Sequence, residues 1–158
     1  MSMDITRDAP VAPQEIGDLR EAVGWDRSEG TYKEILARHY AHYTMRNREG
    51  LLVAYMSVLS DGVADAFLLD LVVRPQYQHK GIGTRMVRRA IADMKAAGVQ
   101  CVHVTFDDHL EPFYAQCGLH ILKAGIVDFK NMKWNEEGQS KGPVKGDRLE
   151  WHCRARGR

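Results

Sequence analysis

The stretch FLLDLVVRPQYQHKGIGTRMVRRAIADMKAAG, residues 67–98, decides how the chain is read. It opens as an apolar, β-branched run over residues 67–73, turns at Arg74, Pro75 and Gln76, and passes Gln78, His79, Lys80, Gly81, Ile82 and Gly83 on its way into a helix. In that helix Ile82, Met86, Ala90 and Met94 recur every four residues with Val87, Ile91 and Ala97 beside them. Arg85, Arg88, Arg89, Asp93 and Lys95 fall mostly on other faces, and Gly98 stops the helix. Strand, Gly-containing loop, helix is an anion-binding order. The first turn of a helix leaves backbone N–H groups without internal partners, and the aligned peptide dipoles add partial positive charge there. Gly81 and Gly83 let a phosphate approach bare backbone; the alternative is that they only shape the turn.

Two Gly-rich loops can be set aside. A Walker A loop ends in Gly-Lys-Ser/Thr, whereas Lys80 precedes the first glycine. A dinucleotide fingerprint wants Gly or Ala at Met86 and its first Gly close to the strand end, yet seven residues separate Val73 from Gly81. The stretch instead resembles motif A of the GNAT superfamily of acetyl-CoA-dependent N-acyltransferases, Arg/Gln-x-x-Gly-x-Gly/Ala after a strand of the Leu-Val-Val-x-Pro kind. Gln78, Gly81 and Gly83 fill that pattern. Glu111, Pro112, Phe113 and Tyr114, followed by Gly118 and Leu119, resemble motif B of the same superfamily, and the likeness runs over about residues 14–129. It implies an α+β fold (a mixed α/β sheet): a central, mostly antiparallel sheet, splayed at the cofactor site, with helices on both faces.

Composition is compatible with this reading. The 158 residues, 44% of them hydrophobic, suit one domain with a real core, expected over residues 1–134. Lys+Arg 22 against Asp+Glu 21 leaves a net charge of +1, which gives no global pull toward nucleic acid or an anionic membrane. No apolar run approaches the roughly 20 residues needed to span a bilayer, and the amino terminus lacks the apolar core of a signal peptide. Cys101, Cys117 and Cys153 fit neither a disulfide framework nor a Cys-x-x-Cys metal site, so the cytoplasm is the expected compartment.

In chain order, residues 4–7 read as an edge strand and residues 14–23 as a helix ended by Gly24. A loop at Trp25 follows, then a second helix capped by Thr31 and running to Arg38. Residues 40–46 and 51–59 read as strands, with a turn at Ser60-Asp61-Gly62. Residues 101–106 give another strand, and a short helix from Glu111 has Pro112 in its first turn. Residues 119–122 are expected as the next strand, and residues 124–134 to contain the last strand of the sheet. Residues 135–158 form a linker-like basic extension, permitting one more strand over residues 148–156. Its last 18 residues carry six Lys and Arg against two acidic residues, an end that is either solvated or touches phosphate.

The resemblance implies transfer of an acetyl group from acetyl-CoA to a primary amine, of a small molecule or of a protein, directly and without a metal. The pyrophosphate then lies on the backbone of His79, Lys80, Gly81, Ile82, Gly83 and Thr84, beside Gln78, with Lys80 or Arg85 as cationic helpers. The pantetheine arm runs along the main chain of Leu71, Val72 and Val73. Tyr114 is the candidate to hydrogen-bond the leaving thiolate, against the alternative of a buried tyrosine bonded to a carbonyl. Asp70, a carboxylate inside an apolar strand, is either catalytic or structural. Relatives place a base nearer Phe67, which cannot serve as one. Trp25 is a candidate for the acceptor pocket or a core anchor, and Asp26, Glu29, Asp107 and Glu111 offer an acidic mouth. Cys117 has no adjacent base to make it an acyl carrier. A non-catalytic acyl-CoA sensor would keep the loop and dispense with Tyr114, and a partner- or nucleic-acid-binding module would use the basic tail. A homodimer is compatible with the reading.

Overall fold

The computed structural model describes residues 3–127, 129, 133–134 and 140–141. Five strands form one sheet in sequence order: β1 (Ile5–Arg7), β2 (Ala41–Arg46), β3 (Leu52–Ser60), β4 (Asp65–Val73) and β5 (Cys101–Val104). The first four pair antiparallel and β5 lies parallel to β4, as a crossover through a helix requires. Helices α1 (Pro13–Ala22) and α2 (Glu29–Arg38) precede β2, α3 (Ile82–Ala96) links β4 to β5, and α4 (Glu111–Gln116) follows β5.

The sheet is covered on both faces, which is why β3 is buried at seven successive positions rather than at alternate ones. Tyr43, Met45, Ala54 and Met56 pack against Ile82, Met86, Ala90 and Met94 of α3 and Tyr114 of α4. Leu52, Tyr55 and Val72 pack against Ile16, Leu19, Trp25 and Tyr32 of the α1–α2 side. The mixed α+β architecture therefore matches expectation.

Several boundaries differ, each for a local reason. α2 starts at Glu29 rather than after Thr31, because Asp26 Oδ1 accepts the Ser28 N–H at 3.2 Å and Ser28, at φ 51°, turns the chain into the helix early. β5 ends at Val104, not Phe106, since its partner strand leaves it: the β4–β5 ladder stops at Leu68–Val104. Residues 119–122 form no ladder. Leu119 and Ile121 do alternate inward against the α3-side core, so the apolar period is real but reflects packing without hydrogen-bonded pairing. Lys133–Trp134 is a strand, yet it pairs with Ser140–Lys141 in a separate two-stranded ladder instead of extending the sheet. The remainder of the expected extension, with its strand over 148–156, lies outside the described residues.

α1 is joined to the sheet by a charged clasp. Ala12 has no side-chain acceptor to cap the helix, but Glu15 reaches back to its N–H at 2.9 Å and receives both terminal nitrogens of Arg46 from β2, at 2.5 and 3.0 Å. The hydrogen bond from Arg46 is the main reason the Glu15 carboxyl sits below its ordinary range. A depressed carboxyl stabilises the fold above the unfolded pKa and loses that contribution as pH falls through the folded one. Glu15→Gln, which keeps an acceptor for Ala12, should lower stability near neutral pH by about 1 kcal/mol, since the pair is partly exposed and screened. In thermal unfolding the difference from the parent protein should shrink as pH falls through the depressed folded-state pKa of Glu15.

Candidate active site

The site originates at Asp70. Tyr55 pairs with Val72 and Ser57 with Leu69, so Asp70 and Leu71 of β4 oppose the single residue Met56 of β3. This β-bulge has Asp70 at φ 54°, a left-handed conformation that a short polar side chain tolerates. Beyond it β4 parts from β5, and two cavities occupy the parting, sharing Leu71 in their walls.

The larger cavity, about 630 Å³, is lined by Leu71, Val73, Tyr77, Gln78, His79, Gly81, Ile82, Gly83 and Thr84 on one side. His109, Leu110, Pro112, Phe113 and Gln116 line the other. α3 begins here without a side-chain cap: its ladder starts with the Arg85 N–H on the Gly81 carbonyl. The N–H groups of its first turn are therefore left for a ligand. Gln78 does not reach into the cavity for this purpose; its Nε2 donates to the Val73 carbonyl at 2.9 Å and ties the loop to the end of β4.

The two glycines have different physical roles. Gly81 sits at φ 76° in open space, where its lack of Cβ permits the backbone turn. Gly83 has an ordinary helical backbone, but a Cβ there would lie 3.2 Å from Phe113 Cζ, so it makes room for the α4 ring. Lys80 does not line the cavity; its Nζ donates to the Gln76 carbonyl at 2.9 Å, and Arg85 donates to the Met3 carbonyl at 3.0 Å. Val72 turns its side chain into the α1–α2 core, which leaves only its main chain for a ligand.

The smaller cavity, about 340 Å³, is walled by Leu59, Phe67, Leu69, Asp70, Thr105, Tyr114 and Ile126 among others. Tyr114 is buried, stacked on Phe106 at 4.6 Å and edge-on to Phe113 at 4.8 Å. Its hydroxyl has no hydrogen-bond partner among the described residues, and burial holds its pKa well above the usual phenol value. Cys117 adds to the same upward shift. Asp70 accepts the Tyr32 hydroxyl at 2.8 Å and lies 3.7 Å from Arg20 Nη1. Burial raises its carboxyl above the ordinary range, with Tyr32 and Arg20 pulling the other way. Phe67, where a base was sought, stacks on His103 at 4.7 Å, and His103 meets Asp65 at 2.7 Å.

Trp25 lines neither cavity. It is buried beneath the Arg20 guanidinium, 5.1 Å from its ring, with Nε1 unpartnered among the described residues. The core-anchor alternative is thus the one its position fits. Asp26, Glu29, Asp107 and Glu111 likewise line neither cavity, and Glu29 is engaged by Arg27 at 2.6 Å. Phe113 lines the cavity from the motif B stretch, His109 from the turn before α4, and Gln116, which the sequence did not single out, from the end of the helix that carries Tyr114.

A sequence profile described as the Acetyltransferase (GNAT) family matches residues 7–119, most of the chain. This chain belongs to the GNAT acetyltransferase family. GCN5-related N-acetyltransferase 1, chloroplastic, of Arabidopsis thaliana is 26% identical over 109 residues, 66% of this chain and 54% of its own length. The chain thus spans about half the length of that curated relative. A GNAT family protein of Streptococcus pneumoniae superposes with a TM-score of 0.69 at 23% identity, over 80% of this chain and 96% of the other. A GNAT acetyltransferase of Brucella melitensis, solved in complex with acetyl-CoA, gives a TM-score of 0.58 at 18% identity, over 71% of this chain and 81% of the other. These likenesses establish the GNAT fold, and no helix among the described residues is long and apolar enough to cross a membrane.

The glycine geometry makes separable predictions. Gly81→Ala should cost about 1 kcal/mol in stability, because the new Cβ meets no neighbour but must adopt a left-handed backbone. Gly83→Val should instead displace Phe113, seen as a change in near-UV circular dichroism of the aromatic cluster at Phe113, Tyr114 and Phe106.

Proposed function

We propose that this GNAT family member transfers the acetyl group of acetyl-CoA directly to a primary amine carried by a small molecule or a protein. One observation carries the reading. An uncapped N-terminus of a 15-residue helix opens on a cavity that meets, at Leu71, a second cavity with the buried Tyr114 in its wall. The larger cavity suits the donor. Backbone N–H groups of the α3 first turn would hold its pyrophosphate, and Leu71 and Val73 border the path of its arm. When bound, the donor supplies an activated acyl thioester. The acetyl-CoA complex of the Brucella relative supports the same donor.

Tyr114 would serve as a hydrogen-bond donor to the leaving sulfur. Burial raises its pKa far above that of a thiol, so it stabilises the thiolate without surrendering its proton. An alkylammonium with a pKa around 10 is only about 0.1% neutral at pH 7, so loss of its proton needs help. Asp70 lines the acceptor cavity, and burial makes it a stronger base than an ordinary carboxylate, which fits it to draw in the ammonium and take its proton. Burial also pushes the Cys117 thiol up, which disfavours an acyl-enzyme and supports direct transfer.

Acetyl-CoA at about 100 times its Kd should add roughly 2.7 kcal/mol to unfolding stability, seen as a raised Tm, while NADH should leave the Tm unchanged. A shift with NADH alone would transfer the case to dinucleotide binding. Tyr114→Phe should fold, bind acetyl-CoA with little change, and lose about 10²-fold in turnover on a verified amine, roughly 2.7 kcal/mol of transition-state stabilisation. Near-full turnover with chemistry rate-limiting would make Tyr114 a packing residue. Asp70→Asn should depress kcat/KM and flatten its rise with pH on the acidic side, because the group whose ionisation produces that limb is gone. An unaltered pH profile would leave Asp70 structural.

A further inference from the structure

The fold brings together three potential ligands that line neither cavity: Asp8 after β1, His39 at the C-terminal cap of α2, and His42 in β2. Their imidazoles are held in a specific orientation. His39 Nδ1 lies 2.8 Å from the Ile35 carbonyl, and His42 Nε2 lies 2.7 Å from the Ala9 carbonyl. A carbonyl oxygen only accepts, so both of these outer nitrogens must carry the ring proton. In the neutral rings the inner nitrogens, His39 Nε2 and His42 Nδ1, are then both bare lone pairs, and they face each other at 2.9 Å. Two lone pairs at that distance repel unless a positive species lies between them.

We propose that a late first-row divalent cation of the Zn²⁺ type binds here. Asp8 Oδ1 stands 3.6 Å from His42 Nδ1, and the three ligand atoms all lie within 4.8 Å of one another. Arg7 engages the other oxygen, Oδ2, at 3.2 Å, which leaves Oδ1 turned to the histidines, where it also accepts the His42 N–H at 2.9 Å. The carbonyls of Ile35 and Ala9 do for these rings what outer partners do for metal-bound histidines: they fix the tautomer and aim the lone pair inward. Two donors about 2.05 Å from a tetrahedral ion stand about 3.3 Å apart, so the rings need part only slightly. Two imidazoles and one carboxylate suit Zn²⁺, Ni²⁺ or Cu²⁺ better than Mg²⁺ or Ca²⁺, which prefer all-oxygen sets. Asp8 is half exposed, so a water can complete the set and the ion has a way in. The bound ion joins the β1–α1 connector, the end of α2 and the start of β2.

The test uses the full chain, free of any histidine tag and stripped of metal by chelation. Calorimetric titration with Zn²⁺ should show one-to-one binding and a raised Tm, and Co²⁺ should give visible absorption of a low-coordinate site. His39→Ala should weaken binding by about 10²-fold. Asp8→Asn should weaken it as well, although Asn tolerates the left-handed φ of 53° and still accepts the His42 N–H. His42 is left intact because it is buried. The other cluster of similar chemistry, Asp65, Cys101 and His103, is exposed, and Cys101→Ser with His103→Ala should leave the affinity unchanged. Zn²⁺ affinity that survives His39→Ala and Asp8→Asn, or that disappears with Cys101 and His103, overturns the proposal. So does absence of stoichiometric binding with nitrogen NMR finding one proton shared between His39 Nε2 and His42 Nδ1.

Discussion

The parting of β4 from β5 is the constraint on which the site depends. A parallel pair would continue its ladder as long as both strands stay extended, and this one stops at Leu68–Val104, two residues before Asp70, whose left-handed φ adds a residue to β4 opposite Met56 of β3. Such a backbone costs on the order of 1–2 kcal/mol outside glycine. The surroundings over-determine it: Tyr32 donates to the carboxylate, Arg20 lies beside it, and Arg20 is itself fixed by the Asp26 carbonyl at 2.6 Å and Tyr32 at 3.0 Å. The α1–α2 layer therefore does more than cover a sheet face. It holds the one residue whose conformation opens the sheet.

In the proposed function, recognition of an anion at the head of α3 would rely on backbone rather than on side-chain charge. Lys80 and Arg85, the nearest cations by sequence, are turned onto the Gln76 and Met3 carbonyls. What remains at the head of α3 is a set of oriented N–H groups, fixed before any ligand arrives and needing no rotamer to be immobilised. A neighbouring Lys side chain is a flexible point charge, whereas the helix terminus is a preorganised one. Gln78, the polar residue of the motif, supports this indirectly by bonding the Val73 carbonyl and so setting where the loop leaves β4.

Local order was legible in the sequence where one pattern had one physical cause. The four-residue period from Ile82 to Met94 can only bury one helix face, and that face lies in the core as read. Tyr114 and the loop from Gln78 to Thr84 were legible through their resemblance to the superfamily's motifs, and the cavities gather most of them, with Lys80 the exception. Illegible features were those in which the same pattern has two causes. Alternating Leu119 and Ile121 signal inward packing whether or not a ladder exists, and an isolated Trp25 gives no sign of whether its ring faces a pocket or Arg20. Gly83, read as a phosphate contact, lines the larger cavity, and its small size also makes room for Phe113, thirty residues on in the chain, which only the tertiary structure reveals. Asp70 was noticed as an odd carboxylate, but its positive φ follows from strand register, which composition does not encode.

The histidine pair shows the same limit from the other side. His39 and His42 are three residues apart, a spacing that on a continuous helix would place them on one face. They sit instead across the end of α2 and the start of β2, and Asp8 joins them only because β1 pairs with β2 and brings the Asp8 N–H to the His42 carbonyl at 2.9 Å. His42 then stacks 6.0 Å from Tyr55, Tyr55 lies edge-on to Tyr32 at 5.8 Å, and Tyr32 bonds Asp70. A continuous run of packed rings thus joins β2 to the bulge of β4. Contact of this kind transmits a force only if some member has two arrangements. Every ring of the run is buried and its end meets Asp70 through the Tyr32 hydroxyl, so a displacement of His42 must be taken up by rings packed against the residue that forms the bulge.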